Sequence, residues 1–189
     1  MGFREALDAL LGTGRIPEAD TERLFAIATA RVTMQAALGL EPAGSAALCF
    51  RPIDSARAAR VRGEIEELLA FGREETGTSY RLETDQYRYT WVVLEDPDFE
   101  DLVAGIHLIS QTLIERGYGP YLLCAVYAFD GNRRAYWIFT FKRGRYYPFV
   151  PVDEGRDSAC EFRLRAMLER ELPIETSVEE WYPLRGIPL

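Results

Sequence analysis

The residues that most constrain this chain are 121–129, YLLCAVYAF. Both alternating faces of the run are apolar, with Tyr121, Leu123, Ala125 and Tyr127 on one side and Leu122, Cys124 and Val126 on the other. Side chains alternate across a strand, so a strand with one solvated face would alternate apolar with polar residues. A run apolar on both sides predicts a strand covered on both faces, in the middle of a sheet. Two more strands follow, at 134–142 and 145–152, joined by the turn sequences DGNR and KRGR. Pro148 and Pro151 make the last of them an edge, because proline has no N–H to give to a ladder.

The sequence upstream supplies the helices. FREALDALLG places Phe3, Ala6, Leu7, Leu10 and Leu11 at helical spacing, which predicts an amphipathic helix within residues 1–14. A longer helix is expected over 21–38, with Asp20 as N-cap and Gly39 as its stop. SAALCFR reads as a strand ended by Pro52, and Asp54 or Ser55 caps a third helix that runs to Gly72. REETGTS then reads as a loop. A hairpin follows over 80–95, turning at 84–86. Asp96 as N-cap and Pro97 at the first helical position launch a helix that buries Leu102, Ile106, Ile109 and Leu113 and stops at Gly117. A last helix starts at Ser158 and is closed by Pro173. Residues 174–189 hold too many prolines for regular structure and too many apolar residues to float free. The order ααβαββαβββα predicts an α+β fold: a single domain of 189 residues, with a largely antiparallel sheet of five to six strands packed with helices.

Composition narrows the chemistry. A formal net charge of −8 repels nucleic acid unless a strong local patch offsets it. Lys142 is the only lysine, and no phosphate-loop pattern surrounds it, so Schiff-base and P-loop chemistry have no other residue to use. Cys49, Cys124 and Cys160 are odd in number and widely separated, which argues against a disulfide framework and for a reducing compartment, the cytoplasm. With His107 they add up to a Cys₃His set, but the close cysteine pair of such zinc sites is missing, so no metal or other cofactor is expected. The single histidine shares a helix flank with Ala104, Gln111 and Glu115, a border position, and no nucleophile elbow exists to meet it. Asp96, Asp98, Glu100 and Asp101 cluster where a helix start favours carboxylates. No catalytic constellation emerges.

The stretch KRGRYYPFVPV at 142–152 sets basic residues beside aromatics. An RNA-binding strand would carry an aromatic after Arg-Gly, where this chain has Arg145. Tyr146 and Tyr147 must point to opposite faces, so at an edge at least one is expected to be exposed. Exposed tyrosine with arginine is a common hot-spot composition. Arg143, Arg145, Tyr146 and Tyr147, with Trp181 and Tyr182 from the tail, are therefore the candidate partner-binding residues. Trp181 could equally cap the core.

Several segments, taken in order, resemble the PspA-associated protein PspAB family. They are MGF with LDALLG, LCFRP at 48–52, YTWVV at 89–93, GYGPYLLCAVYAF at 117–129, KRGRYYPFVP at 142–151, and LPIE with WYP in the tail. The resemblance implies a cytoplasmic accessory of the envelope-stress response, working beside phage-shock protein A, and it carries over no catalytic residue. The expectation is a non-enzymatic protein that binds phage-shock protein A or a companion. Two alternatives stand beside it. One is a membrane-surface sensor, peripheral to the inner face, that uses Phe3, Leu7, Leu10 and Leu11. The other is a small-molecule or enzymatic pocket between sheet and helices, drawing on His107, Cys124 and a tyrosine.

Overall fold

The computed structural model describes residues 18–189 apart from residues 54, 154 and 185. The segment bearing Phe3, Leu7, Leu10 and Leu11, and the capping candidate Asp54, lie outside the described residues. The main sheet holds β1 (Glu41–Phe50), β2 (Ser79–Thr84), β3 (Thr90–Glu95), β4 (Leu122–Asp130), β5 (Ala135–Thr140) and β6 (Arg145–Phe149). Its spatial order is β2-β3-β1-β4-β5-β6, with every neighbouring pair antiparallel. Four α-helices accompany it: α1 (Ala26–Leu38), α2 (Ser55–Thr76), α3 (Phe99–Glu115) and α4 (Ser158–Leu168). The fold is α+β. Strand β4 lies inside the sheet and is buried from Leu122 through Phe129, in keeping with its two apolar faces.

The register sorts the sheet into two faces. One rank runs Tyr80, Leu94, Ala46, Tyr127, Trp137, Pro148, and it faces α3. There the Phe99 ring lies 5.8 Å from that of Tyr127 and 5.3 Å from that of Phe129. Helix α3 comes so close to the sheet that a Cβ on Gly105 would sit 2.9 Å from Leu94 Cδ1, so this position accepts only glycine without a shift. Leu102, Ile106, Ile109 and Leu113 form the buried row read from the sequence. The opposite rank runs Arg81, Val93, Ala47, Val126, Ile138, Tyr147. The tail reaches both ends of that rank: Trp181 stacks on Tyr147 at one edge, and the Pro188 carbonyl accepts a hydrogen bond from Arg81 at the other.

Several boundaries depart from the sequence reading. The helix expected from Thr21 begins as a 3₁₀ segment, Glu18–Phe25, and becomes α-helical only at Ala26. Asp20 therefore lies within the 3₁₀ segment and does not cap α1. Tertiary bonds hold this tighter winding: Gln111 donates to the Thr21 hydroxyl, and the Leu24 carbonyl accepts from the Tyr146 hydroxyl. Helix α2 passes Gly72 and includes Arg73–Thr76, which the sequence reading left in a loop. Gly77, at φ 83°, ends it, and its N–H bonds the Arg73 carbonyl. Helix α3 is capped by Asp98, not Asp96; the Asp98 carboxylate accepts from the Glu100 N–H at 2.8 Å. Buried Asp96 takes the Asp98 N–H at 2.8 Å and the Thr78 hydroxyl at 2.6 Å, fastening the chain before the helix begins. The strand predicted over 145–152 breaks at Val150. Beyond it a separate small hairpin, β7 (Pro151–Val152) with β8 (Gly155–Arg156), leads into α4.

One buried pair has no visible reward. Tyr127 and Trp137 face each other across β4 and β5, both fully buried, and neither the hydroxyl nor the indole N–H has a hydrogen-bond partner among the described residues. Burial pushes the Tyr127 hydroxyl well above its ordinary pKa. An unpartnered buried hydroxyl is a cost that phenylalanine would not carry. Tyr127→Phe is expected to raise stability by about 1 kcal/mol, visible as a higher urea midpoint at unchanged slope.

Candidate functional site

The six candidate partner-binding residues converge on one place, the outer edge of β6. Gly144, at φ 61°, makes the turn into this strand, where a side chain would be strained. The edge does not stay open. The Tyr146 N–H donates to the Pro173 carbonyl at 2.9 Å, and the Glu175 N–H donates to the Tyr146 carbonyl at 2.8 Å. Ile174 thus forms a parallel bridge with Tyr146, and the chain caps its own sheet.

The two tyrosines point to opposite faces as alternation requires, but the expected exposure of at least one of them is corrected: both are fully buried. Tyr146 enters the helix side, packs on Phe139 with ring centres 5.0 Å apart, and donates its hydroxyl to the Leu24 carbonyl at 2.6 Å. Tyr147 enters the other side, stacks on Trp181 and donates to the Tyr182 carbonyl at 3.0 Å. Trp181 is itself buried and gives its indole N–H to the Glu175 carbonyl at 3.0 Å, so it caps the core. What looked like a platform for a partner is occupied from both sides by the same chain.

Arginines bind the tail down. Arg143 pairs with Glu175 at 2.5 Å and Glu180 at 3.2 Å, and Arg145 donates to the Ile174 carbonyl at 3.1 Å. Sequence reasoning missed the deeper pair, Arg156 with buried Glu161. Arg156 donates to Glu161 at 2.6 Å and also to the Trp181 and Pro148 carbonyls, while the other Glu161 oxygen accepts the Val150 N–H at 2.8 Å. One ion pair thereby ties β6, α4 and the tail together. Burial pushes the Glu161 carboxyl up, against the opposing pull of Arg156 and the Val150 N–H. For Glu175 burial also pushes upward, but the bonds from Arg143 and the Ser177 N–H, with the charges of Arg143 and Arg145, outweigh it and hold the carboxyl below its usual range. The one sequence hint for Glu175 was a carboxylate following Leu172, Pro173 and Ile174 with no basic neighbour in sequence.

Around this clasp part of the surface stays open. Phe162, 46% exposed, leans on Trp181 from α4, and Val178, 38% exposed, lies three residues before it. Arg165 sits over the Trp181 ring at 5.9 Å. Tyr182 is half-buried, its hydroxyl donating to Glu180 at 3.0 Å.

The residues considered for a pocket do not meet. His107 is a partly covered border residue: the Phe25 ring lies 4.6 Å from it, burial lowers its pKa, and a hydrogen bond to the Thr21 backbone pulls the other way. Cys124 lies on β4 directly opposite Cys49 on β1, both fully buried, which the separation in sequence concealed. Burial and a bond to Cys124 push the Cys49 thiol up. Cys160 is half-buried on α4. Among the described residues no three His, Cys, Asp or Glu side chains gather as a metal site would need.

The family model for PspA associated protein B, PspAB, matches residues 1–189. The chain belongs to that family. Neither a curated protein nor a solved structure matches it. The PspAB name describes a protein associated with PspA, and three of the segments that carried the resemblance, KRGRYYPFVP with LPIE and WYP of the tail, form the clasp.

Two outcomes follow from this geometry. Arg156→Ala leaves Glu161 buried without its counter-charge and is expected to cost about 3 kcal/mol, read from the denaturant midpoint. Because the folded Glu175 carboxyl lies below its unfolded value, its contribution is complete above about pH 4.3 and disappears as pH falls through the folded value. Acid titration of Glu175→Gln should therefore show a shallower loss of stability below about pH 4.3 than the parent protein shows.

Proposed function

We propose that this protein is a non-enzymatic, cytoplasmic accessory that binds phage-shock protein A. The observation that carries the reading is the family match over the whole chain. The contact region is the open rim of the clasp, with Phe162 and Val178 at its centre and Arg143, Arg165 and Tyr182 around them. Aromatic and aliphatic residues bordered by arginine suit an interface core and rim. Tyr146, Tyr147 and Trp181 support this surface from beneath instead of meeting the partner. Arg143 and Arg145 also hold the tail, so reversing their charge would open the clasp and confuse loss of fold with loss of contact.

Phe162 and Arg165 allow a cleaner test. Titration calorimetry with purified phage-shock protein A is expected to give micromolar binding, weakened at least about tenfold by Phe162→Glu and by Arg165→Glu. Circular dichroism should show both variants fully folded at the temperature of the titration, with a thermal midpoint well above it. No binding by the parent protein at micromolar concentration, or full binding by both variants, would refute the assignment.

A further inference from the structure

A cavity of about 380 Å³ lies on the helix-bearing side of the sheet, between the ends of β1, β2 and β3 and the first half of α2. Its volume falls in the range of small-molecule sites, roughly 300–1,000 Å³. Phe50, Ile53 and Leu82 give it an apolar floor, and Thr84 and Thr90 add two hydroxyls. Arg62 and Arg88 line it as well. Among the described residues no carboxylate lines this cavity, although the chain has 30 acidic residues against 22 basic ones.

Two further features set positive charge around the cavity. From Ser55 to Gly63, helix α2 carries Arg57, Arg60 and Arg62 and no acidic residue. That arrangement is the reverse of what the positive end of a helix dipole favours. Among the described residues Arg62 is paired with Glu66 alone, one turn further on, at 3.0 Å. Arg88 sits at φ 69°, the one non-glycine residue with positive φ among those described. Its backbone N–H closes a turn on the Asp85 carbonyl at 2.9 Å, while its guanidinium forms no ion pair or hydrogen bond among the described residues. Glycine would hold this turn with less strain, so the turn itself does not explain an arginine here.

We infer that this cavity is a binding site for a small amphipathic anion. Its apolar body rests on Phe50, Ile53 and Leu82, and a single carboxylate or phosphate is held by Arg62 and Arg88. The site is separate from the clasp and does not depend on the binding of phage-shock protein A.

The test uses decanoate and decyl phosphate in titration calorimetry, with decanol and inorganic phosphate as controls for each half of the ligand. Saturable one-to-one binding of either amphiphile, at least about tenfold tighter than both controls, is expected, and the tighter of the two identifies the head group. Arg88→Gly should weaken that binding about tenfold or more while leaving the thermal midpoint of the unliganded protein equal or higher, since it relieves backbone strain. Ala59→Trp, which fills the cavity from an exposed helical position, should abolish binding. Non-saturable uptake by the parent protein, or an Arg88→Gly protein with unaltered affinity, would overturn the inference.

Discussion

Strand β6 has another strand on one side only, yet both of its tyrosines are buried, and the rest of this architecture is arranged around that fact. An aromatic edge with free backbone donors and acceptors invites pairing with other chains. Charges or bulges would blunt such an edge. Here the chain answers it directly, laying residues 173–175 along the strand so that the Tyr146 N–H and carbonyl are both used. Once those bonds exist, Trp181 can reach Tyr147, and Arg143, Arg145 and Arg156 find their acceptors in the same segment.

Burying charge to secure an edge is a costly solution unless each group is fully satisfied. Both Glu161 oxygens are occupied, one by Arg156 and one by the Val150 N–H, and Arg156 also reaches two carbonyls. Glu175 likewise serves Arg143 and the Ser177 N–H. The two carboxylates respond in opposite directions because burial, the largest influence on each, prevails at Glu161 over Arg156 and the Val150 N–H, whereas at Glu175 it is outweighed by Arg143, the Ser177 N–H and the charge of Arg145. The fixed geometry of the guanidinium suits it to bridging carboxylates and carbonyls at once, which is the work these arginines do.

Much of the architecture was legible because it rests on local pattern. The two apolar faces of β4, the buried row of α3 and the turn at Gly144 follow from residue spacing and backbone sterics. Where the reading erred, a distant partner decided. Thr78 drew Asp96 away from capping α3, and Tyr146 and Gln111 held 18–25 in a tighter coil. The exposure of Tyr146 and Tyr147 was misjudged for the same reason, since nothing local announces that residues thirty positions later return to cover them. Strand order was beyond local reading too: β1 lies between β3 and β4, so Cys49 meets Cys124 across a ladder that spacing alone does not reveal. The six candidate residues lie together at one edge of the sheet, but their mutual contacts, and the Arg156–Glu161 pair beneath them, depend on the fold.

The order of these pieces along the chain has a consequence at the ribosome. Synthesis runs from the N-terminus, so β6 emerges before α4, and α4 before the stretch around Ile174 that lies against β6. The border of the sheet is therefore made before the residues that cover it, and a chain halted between the two would present Tyr146 and Tyr147 without their cover.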